Sequence, residues 1–217
     1  MGWTLAPGIG FCEIGDALVF LDLARDRYVA LRGADRAAFE RLRRGEANDC
    51  DAMARLIATG FIVRADSGPC LDPTRIDVPA RDLCDSTDNG FSLAMAVATA
   101  GALRWAGRAM RPERIAATIE TLRQAKQAPD AIMPASDVEQ LAAHYAACRW
   151  INPVRPRCLI DALALDRILL SRKMRAMLVF GVRLNPFGAH CWLQTTDAIL
   201  TGTAAEARNF RPIMVVA

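Results

Sequence analysis

Two residues near the C-terminal end of the chain have the types and the spacing of a thiol nucleophile and its base. Cys158 begins CLIDALALDRILL, which predicts an apolar helix, and His190 lies in VFGVRLNPFGAHCWLQ, which predicts strands on either side of a loop. The thiolate is the reactive form of cysteine, and both a helix N-terminus and a nearby imidazolium stabilise it. The chain has two histidines, His144 and His190, so the choice of base is narrow. We therefore expect Cys158 and His190 to form a catalytic pair.

The chemistry expected of this pair is acyl transfer through a thioester. Cys158 would attack a carbonyl carbon, and His190 would hold the thiol proton and pass it to the leaving amine. Backbone N–H groups at the start of the helix have no partner within it and can bind the oxyanion. Trp192 shares a strand face with His190, so we expect it to wall the site, whereas Cys191 points to the opposite face and is expected in the core.

Composition narrows the class of protein. The 217 residues are 53% hydrophobic and 24% charged, which is enough apolar material for a packed core. A net charge of +3, from 27 basic and 24 acidic residues, does not favour a nucleic-acid partner. The seven cysteines form no CxxC pair, so no zinc ribbon is indicated and no cofactor is expected. No signal peptide and no apolar run of about 20 residues is visible, so we expect a cytoplasmic protein with no membrane partner.

Residues 1–64 predict a small α+β module. Short apolar and aromatic runs at 11–14, 17–23 and 27–31 are separated by turn residues and predict a three-stranded antiparallel meander. Two amphipathic segments at about 34–44 and 49–59 end at glycines and predict helices. The outline is that of a winged-helix-like domain.

Residues 65–90 hold three prolines, several aspartates and little apolar periodicity, which predicts a linker. Residues 91–217 predict a second α+β domain in which helices come first and strands follow. The expected helices are 91–110, 112–126, 136–150 and 158–172, and the expected strands are 176–183, 190–194, 199–201 and 213–216.

The residues around the pair carry a family resemblance. The motifs are Cys158-Leu159-x-x-Ala162-Leu163-Ala164-Leu165 and Val179-x-Gly181-Val182-Arg183-x-x-Pro186-Phe187-x-Ala189-His190-x-Trp192-x-Gln194. Together they resemble the transglutaminase-like leader peptidase of lasso-peptide biosynthesis, the B protein. The N-terminal order F-x-E-x-x-D-x-L-V-F-L-D-L-x-x-x-x-Y-x-x-L is similar to PqqD-like precursor-recognition elements.

The resemblance implies a papain- or transglutaminase-like cysteine peptidase at residues 91–217 and a leader-recognition domain at residues 1–64. It implies that the domain at residues 1–64 binds the leader of a ribosomal precursor peptide and that the domain at residues 91–217 cleaves the leader off. A separate asparagine-synthetase-like cyclase would then close the ring. An extended leader could add to the third strand and dock on the helix at 50–58. The residues expected to contact the leader are Arg27, Tyr28, Val29, Ala30, Leu31, Met53, Leu56 and Ile57.

The chain departs from the family after His190. The family usually has an aspartate on the return strand to orient the imidazole, and here that stretch is Ile199-Leu200-Thr201-Gly202-Thr203. A hairpin that turns near Asp197 puts Thr201 or Thr203 in the place of the aspartate, and Asp197 itself is too far along the strand. A backbone carbonyl, a water, Glu206 or Asn209 could also orient the ring.

Two other functions therefore stay open. Loss of the orienting aspartate is compatible with a catalytically weak or inactive protein that binds the leader and presents the precursor to the cyclase. A transglutaminase that forms isopeptide bonds would use the same acyl-enzyme with an amine in place of water.

Overall fold

The computed structural model describes residues 2–46, 50–65, 71–83, 92–128 and 134–217, and it confirms the predicted α+β class. Two compact units are formed. The first comprises Met1–Arg75 and Pro212–Met214, and the second comprises Ile76–Arg211 and Val215–Ala217. Among these described residues, no helix has the length and apolar character that crossing a bilayer requires.

The first unit contains the predicted three-stranded antiparallel sheet, in the order β2-β3-β4. Its strands and helices are β2 (Ile9–Ile14), β3 (Ala17–Asp22), β4 (Arg27–Leu31), α1 (Gly33–Arg43) and α2 (Cys50–Thr59). A further pair that was not predicted, β1 (Gly2–Leu5) with β5 (Ile62–Ala65), forms a separate two-stranded sheet. Residue 49, the predicted start of α2, lies outside the described residues.

Aromatic packing explains why the short strands of the first unit hold together. The rings of Phe11 and Phe20 stack at 5.2 Å, and those of Phe20 and Phe61 stack at 4.8 Å. Phe39 of α1 meets Phe11 and Phe20 edge-on, again at 5.2 Å. Offset and edge-to-face rings of this kind add to the free energy of simple burial. The two-residue turn between β2 and β3 uses Gly15, whose φ of +57° suits a tight hairpin.

The second unit packs helices against a five-stranded sheet with the order β10-β7-β8-β9-β6. The helices are α3 (Leu93–Ala109), α4 (Pro112–Gln127), α5 (Ala135–Arg149), α6 (Cys158–Ser171) and α7 (Ala204–Ala207). The strands are β6 (Arg81–Asp82), β7 (Met177–Leu184), β8 (Phe187–Gln194), β9 (Ala198–Ile199) and β10 (Arg211–Val216). α6 packs against α3, α5 and β8, and its middle residues 162–165 are fully buried.

The β7–β8 hairpin places the predicted base. A two-residue connection joins the strands, and eight residue pairs follow, with His190 opposite Gly181. The return strand is shorter than predicted, because β9 ends at Ile199 and the chain turns at Gly202, which has a φ of +77°. α7 then begins after Thr203, and this short helix was not predicted.

The described part of the predicted linker packs against its neighbours. Leu71 is buried in the core of the first unit. Arg81 and Asp82 form β6, which pairs in parallel with β9. Two interactions stabilise this two-residue strand. It pairs with β9, and the Asp82 carboxylate accepts the backbone N–H of Ala204. Residues 66–70 and 84–90 lie outside the described residues.

Candidate active site

Cys158 and His190 line the same cleft in the second unit. The cleft has a volume of about 840 Å³. Its walls come from the loop at residues 152–157, the start of α6, β8, the turn at residues 200–202, and the side chains of Glu206 and Phe210. A cleft of this size can hold a peptide segment.

Cys158 is exposed and is the first residue of α6. The preceding residue, Arg157, is extended (φ −144°, ψ 127°) and gives the helix no side-chain cap. Amides in the first turn of a helix have no acceptor within the helix, so they can bind an anion such as a thiolate or an oxyanion. This is the local geometry expected of a cysteine nucleophile.

Asp161 fixes the loop that leads into Cys158. Its carboxylate accepts the backbone N–H of Arg157 at 3.1 Å and is ion-paired with Arg149. Arg149 also donates from Nη2 to the carbonyl of Val154 at 2.9 Å. Tyr145 donates its hydroxyl to the Asp161 carbonyl at 3.3 Å, and burial together with the Asp161 charge raises the pKa of Tyr145. Asp161 therefore positions the nucleophile's loop.

His190 is held between two aromatic rings and is only 8% exposed. Its ring centroid lies 5.7 Å from that of Trp192 and 5.1 Å from that of Phe210. Gly181, directly opposite on β7, leaves room for this stack, because a Cβ there would lie 2.7 Å from Trp192 Cζ3 and 2.9 Å from Phe210 Cβ. Trp192 is fully buried and donates from Nε1 to Gln194 Oε1 at 2.8 Å, so its ring forms a fixed surface against which the imidazole packs.

The polar surroundings of His190 are sparse. Its Nδ1 lies 3.8 Å from Glu206 Oε1, and its buried Nε2 has no hydrogen-bond partner among the described residues. Burial lowers the pKa of His190, and the Glu206 charge offsets that shift in part. The imidazole is thus mainly neutral at pH 7, which suits a group that must first accept a proton.

The threonines predicted near the imidazole have their hydroxyls engaged elsewhere. Thr201 Oγ1 accepts the N–H of Leu193 at 2.9 Å, and Thr203 Oγ1 accepts the N–H of Glu206 at 3.1 Å and so caps α7. Asn209, another alternative, donates to the carbonyl of Ala205 at 3.0 Å. Of the alternatives raised from the sequence, Glu206 is the one whose charged group the structure brings to the ring.

Cys191 is buried, as expected, and it also contributes to the lining of the cleft. Burial raises the pKa of the Cys191 thiol, and negative charge on Cys158 and Asp166 raises it further. Cys191 is therefore a neutral thiol at pH 7. Cys158, in contrast, is the exposed cysteine among those whose side chains are described.

These features agree with a comparison to known families. The model of a transglutaminase-like superfamily matches residues 93–215, a span that includes α6, Cys158 and His190. The chain belongs to the transglutaminase-like superfamily. This confirms the class of fold that the resemblance implied for the C-terminal part.

One curated relative connects this superfamily member to a peptide-processing protein. The chain is 38% identical over 61 residues to the microcin J25-processing protein McjB of Escherichia coli. The match covers 28% of this chain and 27% of the relative, so the chain spans about a quarter of that protein's length. The match supports the resemblance to lasso-peptide B proteins. No solved structure matches the chain.

The β4 residues predicted to bind a leader differ in their solvent exposure. This strand pairs with β3 and lies at one edge of its sheet. Arg27 and Ala30 are exposed, and Tyr28 and Val29 are half-buried. Arg27 is already ion-paired with Asp22 at 3.2 Å. Leu31 is only 7% exposed and belongs to the core, so its side chain is not open to a bound peptide.

The α2 residues predicted to contact a leader also differ in their solvent exposure. Leu56 is 3% exposed and lies in the core, so its side chain is covered in this structure, and its contact with a leader stays a prediction. Met53 is half-buried against that core, whereas Ile57 is 47% exposed. An apolar side chain of this exposure remains available for docking.

Proposed function

We propose that the protein is a cysteine endopeptidase that cleaves the leader from a ribosomal lasso-peptide precursor before a partner cyclase closes the ring. The observation that carries the proposal is the placement of Cys158 and His190 in one cleft, within the part of the chain that matches the superfamily. The printed role of the relative McjB, the processing of microcin J25, supports a precursor peptide as substrate.

The first half-reaction forms a thioester. His190 takes the proton of the Cys158 thiol, and the Sγ atom forms a bond to the scissile carbonyl carbon. The carbonyl oxygen gains the negative charge, which the amides at the start of α6 stabilise. As the carbonyl re-forms, the C–N bond breaks and the imidazolium gives its proton to the amine of the core peptide.

The second half-reaction regenerates the thiol. His190 takes a proton from water, whose oxygen forms a bond to the thioester carbon. The C–S bond then breaks, and the imidazolium returns the proton to Cys158. The products are a leader with a free carboxylate and a core with a free amine, which is the group an ATP-using cyclase needs.

We place leader capture on the first unit. β4 lies at one edge of its sheet, where an extended peptide can add as a further strand. The exposed side chain of Ile57 on α2 can accept an apolar residue of that peptide.

Incubation with a lasso-peptide precursor that contains leader and core, followed by mass spectrometry, tests the peptidase. We expect wild type to release leader and core with the addition of one water, and Cys158→Ala and His190→Ala to release neither. Cys148→Ala, which removes a buried thiol outside the cleft, should cleave like wild type. A product that has gained an amine instead of water would identify an isopeptide-forming transglutaminase.

A second function is favoured by one observation. Gly202 stands in the stretch where the family usually has an aspartate, and the buried Nε2 of His190 has no partner in the described structure. The alternative is a leader-binding protein that presents the precursor to the cyclase. If wild type binds the leader but yields no product even with the cyclase present, the binding-only function replaces the peptidase.

Leader binding has its own test. Ile57→Glu places a charge at the proposed docking surface and should weaken leader affinity by at least about tenfold, since burying an unpaired charge is costly. Val63→Glu is the matched control, because Val63 is 39% exposed in the same unit but outside the predicted contacts. Equal affinities of the two variants would contradict leader docking at α2.

A further inference from the structure

Glu206 lies where it can replace the missing aspartate. We propose that the carboxylate of Glu206 orients the imidazole of His190 and stabilises its protonated form during the proposed reaction. Glu206 acts through His190, so it is a positioning residue. Its catalytic meaning rests on the proposed function, whereas its effect on the reactivity of the thiol does not.

The geometry of the turn supports this assignment. Glu206 Oε1 lies 3.8 Å from His190 Nδ1. A Cβ on Gly202 would lie 3.6 Å from His190 Nε2 and 3.7 Å from Glu206 Oε2, so Gly202 leaves open the space between the two groups. An acid at position 202 would meet the ring directly. With glycine there, Glu206, four residues later on α7, takes over that role.

Two contacts fix the backbone that carries Glu206. Thr203 accepts the N–H of Glu206 itself, and Asp82 accepts the N–H of Ala204. Both bonds satisfy amides at the start of α7 that would otherwise lack a partner. Thr203, predicted as a direct partner of His190, thus contributes by holding Glu206 in place.

Among the carboxylates that line the cleft, Glu206 is the one available to stabilise an imidazolium at His190. The other carboxylate that lines the cleft, Asp161, is already bonded to Arg149 and to the N–H of Arg157. The guanidinium of Arg183 lies 5.1 Å from the Phe210 ring, which itself packs on His190. The remaining ionisable side chains of the lining are Tyr145, Arg155, Arg157, Cys158 and Cys191. Burial disfavours a protonated imidazole, so a carboxylate beside the ring has a large relative effect.

The negative charge on Glu206 should raise the reactivity of the Cys158 thiol. Negative charge at Glu206 favours protonated His190 over the neutral ring. Proton transfer from Cys158 to His190 gives a thiolate and an imidazolium, so Glu206 favours that ion pair over the neutral pair. Because the thiolate is the nucleophile, loss of the charge lowers thiol reactivity at neutral pH. At a pH well above about 8.5, the ordinary value for a cysteine thiol, a thiolate forms without proton transfer to His190, so the difference between the variants must vanish there.

Alkylation of Cys158 by iodoacetamide across pH 5–11, followed by mass spectrometry of the Cys158 peptide, tests this inference. We expect Glu206→Gln to slow alkylation about tenfold at pH 7, equivalent to about one pKa unit of lost ion-pair stabilisation. Its rate should converge with wild type above about pH 10. Glu206→Asp keeps the charge on a shorter side chain and should fall between the two. Glu113→Gln, an exposed glutamate on α4 away from the cleft, should match wild type.

Two outcomes would overturn the inference. The first is a Glu206→Gln profile identical to wild type. The second is a slower rate that persists at pH 11, because a change of access to Cys158 rather than of its ionisation would cause it.

The precursor assay separates this inference from the proposed function. If wild type does not cleave the precursor but the alkylation profiles differ as expected, the peptidase fails and the role of Glu206 stands. If wild type cleaves and Glu206→Gln neither alkylates nor cleaves more slowly, the peptidase stands and the role of Glu206 fails.

Discussion

The two walls of the cleft hold their functional groups by different means. On the thiol side, a polar network of Asp161, Arg149 and Tyr145 fixes the backbone before Cys158. On the imidazole side, packing between Trp192 and Phe210 fixes the ring, and one half-exposed carboxylate lies nearby.

This difference separates what places the Cys158 thiol from what sets the protonation state of His190. The polar network places the main chain, and its loss changes where the thiol lies. The aromatic rings set the plane of His190 but donate no hydrogen bond to it, so the protonation state of the imidazole depends on burial and on Glu206. Damage to the two walls should therefore produce different defects.

The largest expected effect is on the thiol wall. Asp161→Asn removes the charge that pairs with Arg149, and both side chains are less than a fifth exposed. Loss of one partner from a largely buried pair costs about 3 kcal/mol of unfolding free energy. Urea unfolding measures that loss. Asp35→Asn is the control, since the Asp35–Arg55 pair is about half exposed and should contribute about 1 kcal/mol or less.

The second effect is on the imidazole wall. Gly181→Ala introduces a Cβ that overlaps the buried Trp192 ring and Phe210, which should cost about 2 kcal/mol and tilt the ring of His190. Precursor cleavage should fall while alkylation of Cys158 at pH 11 stays near that of wild type. Gly101→Ala on α3 meets open space and should stabilise the chain slightly, by about 0.5–1 kcal/mol. Equal destabilisation by both variants would contradict the packing argument.

The third effect tests whether the thiol wall acts as a network. Tyr145→Phe removes a hydroxyl that donates to Asp161 and should cost about 1 kcal/mol. In the Asp161→Asn background the same change should cost less, because the two groups share a bond. Additive losses in unfolding experiments would show instead that the two residues act independently.

The smallest effect concerns pH. Burial lowers the pKa of His190, so the unfolded chain takes up a proton at that residue at a higher pH than the folded chain does. The unfolding free energy should therefore fall as the pH drops below about 6.5, the ordinary value for histidine. His190→Gln should flatten this dependence when melting is followed from pH 7 to 5. His144→Gln removes the other imidazole, which lies outside the cleft, and should retain the slope of wild type.

The sequence predicted what depends on local pattern. The helix that begins at Cys158 and the strand of His190 follow from apolar periodicity, and the three strands of the first unit follow from short runs between turn residues. Leu31 and Leu56 were predicted as leader contacts, yet their side chains are buried, because periodicity shows which residues share a face but not which face is covered.

The sequence did not predict what depends on distant partners. β1 pairs with β5 across some 60 residues, so no local pattern indicates that pairing. α7 has four residues and depends on the turn at Gly202 and the cap from Thr203. Glu206 could be raised as an alternative but not preferred, because its place beside His190 is created by those two features together.

A buried ion pair joins the helix that begins at Cys158 to other elements of the second unit. Lys126 Nζ lies 2.9 Å from Asp166 Oδ1 and donates to the carbonyls of Ala176 and Val216, and both charged side chains are fully buried. Asp166 is eight residues beyond Cys158 on α6, which is about 12 Å along the axis. One ammonium group therefore joins α4 and α6 to the start of β7 and the end of β10. An axial shift of α6, which begins at the thiol more than two turns away, would first have to break this anchor.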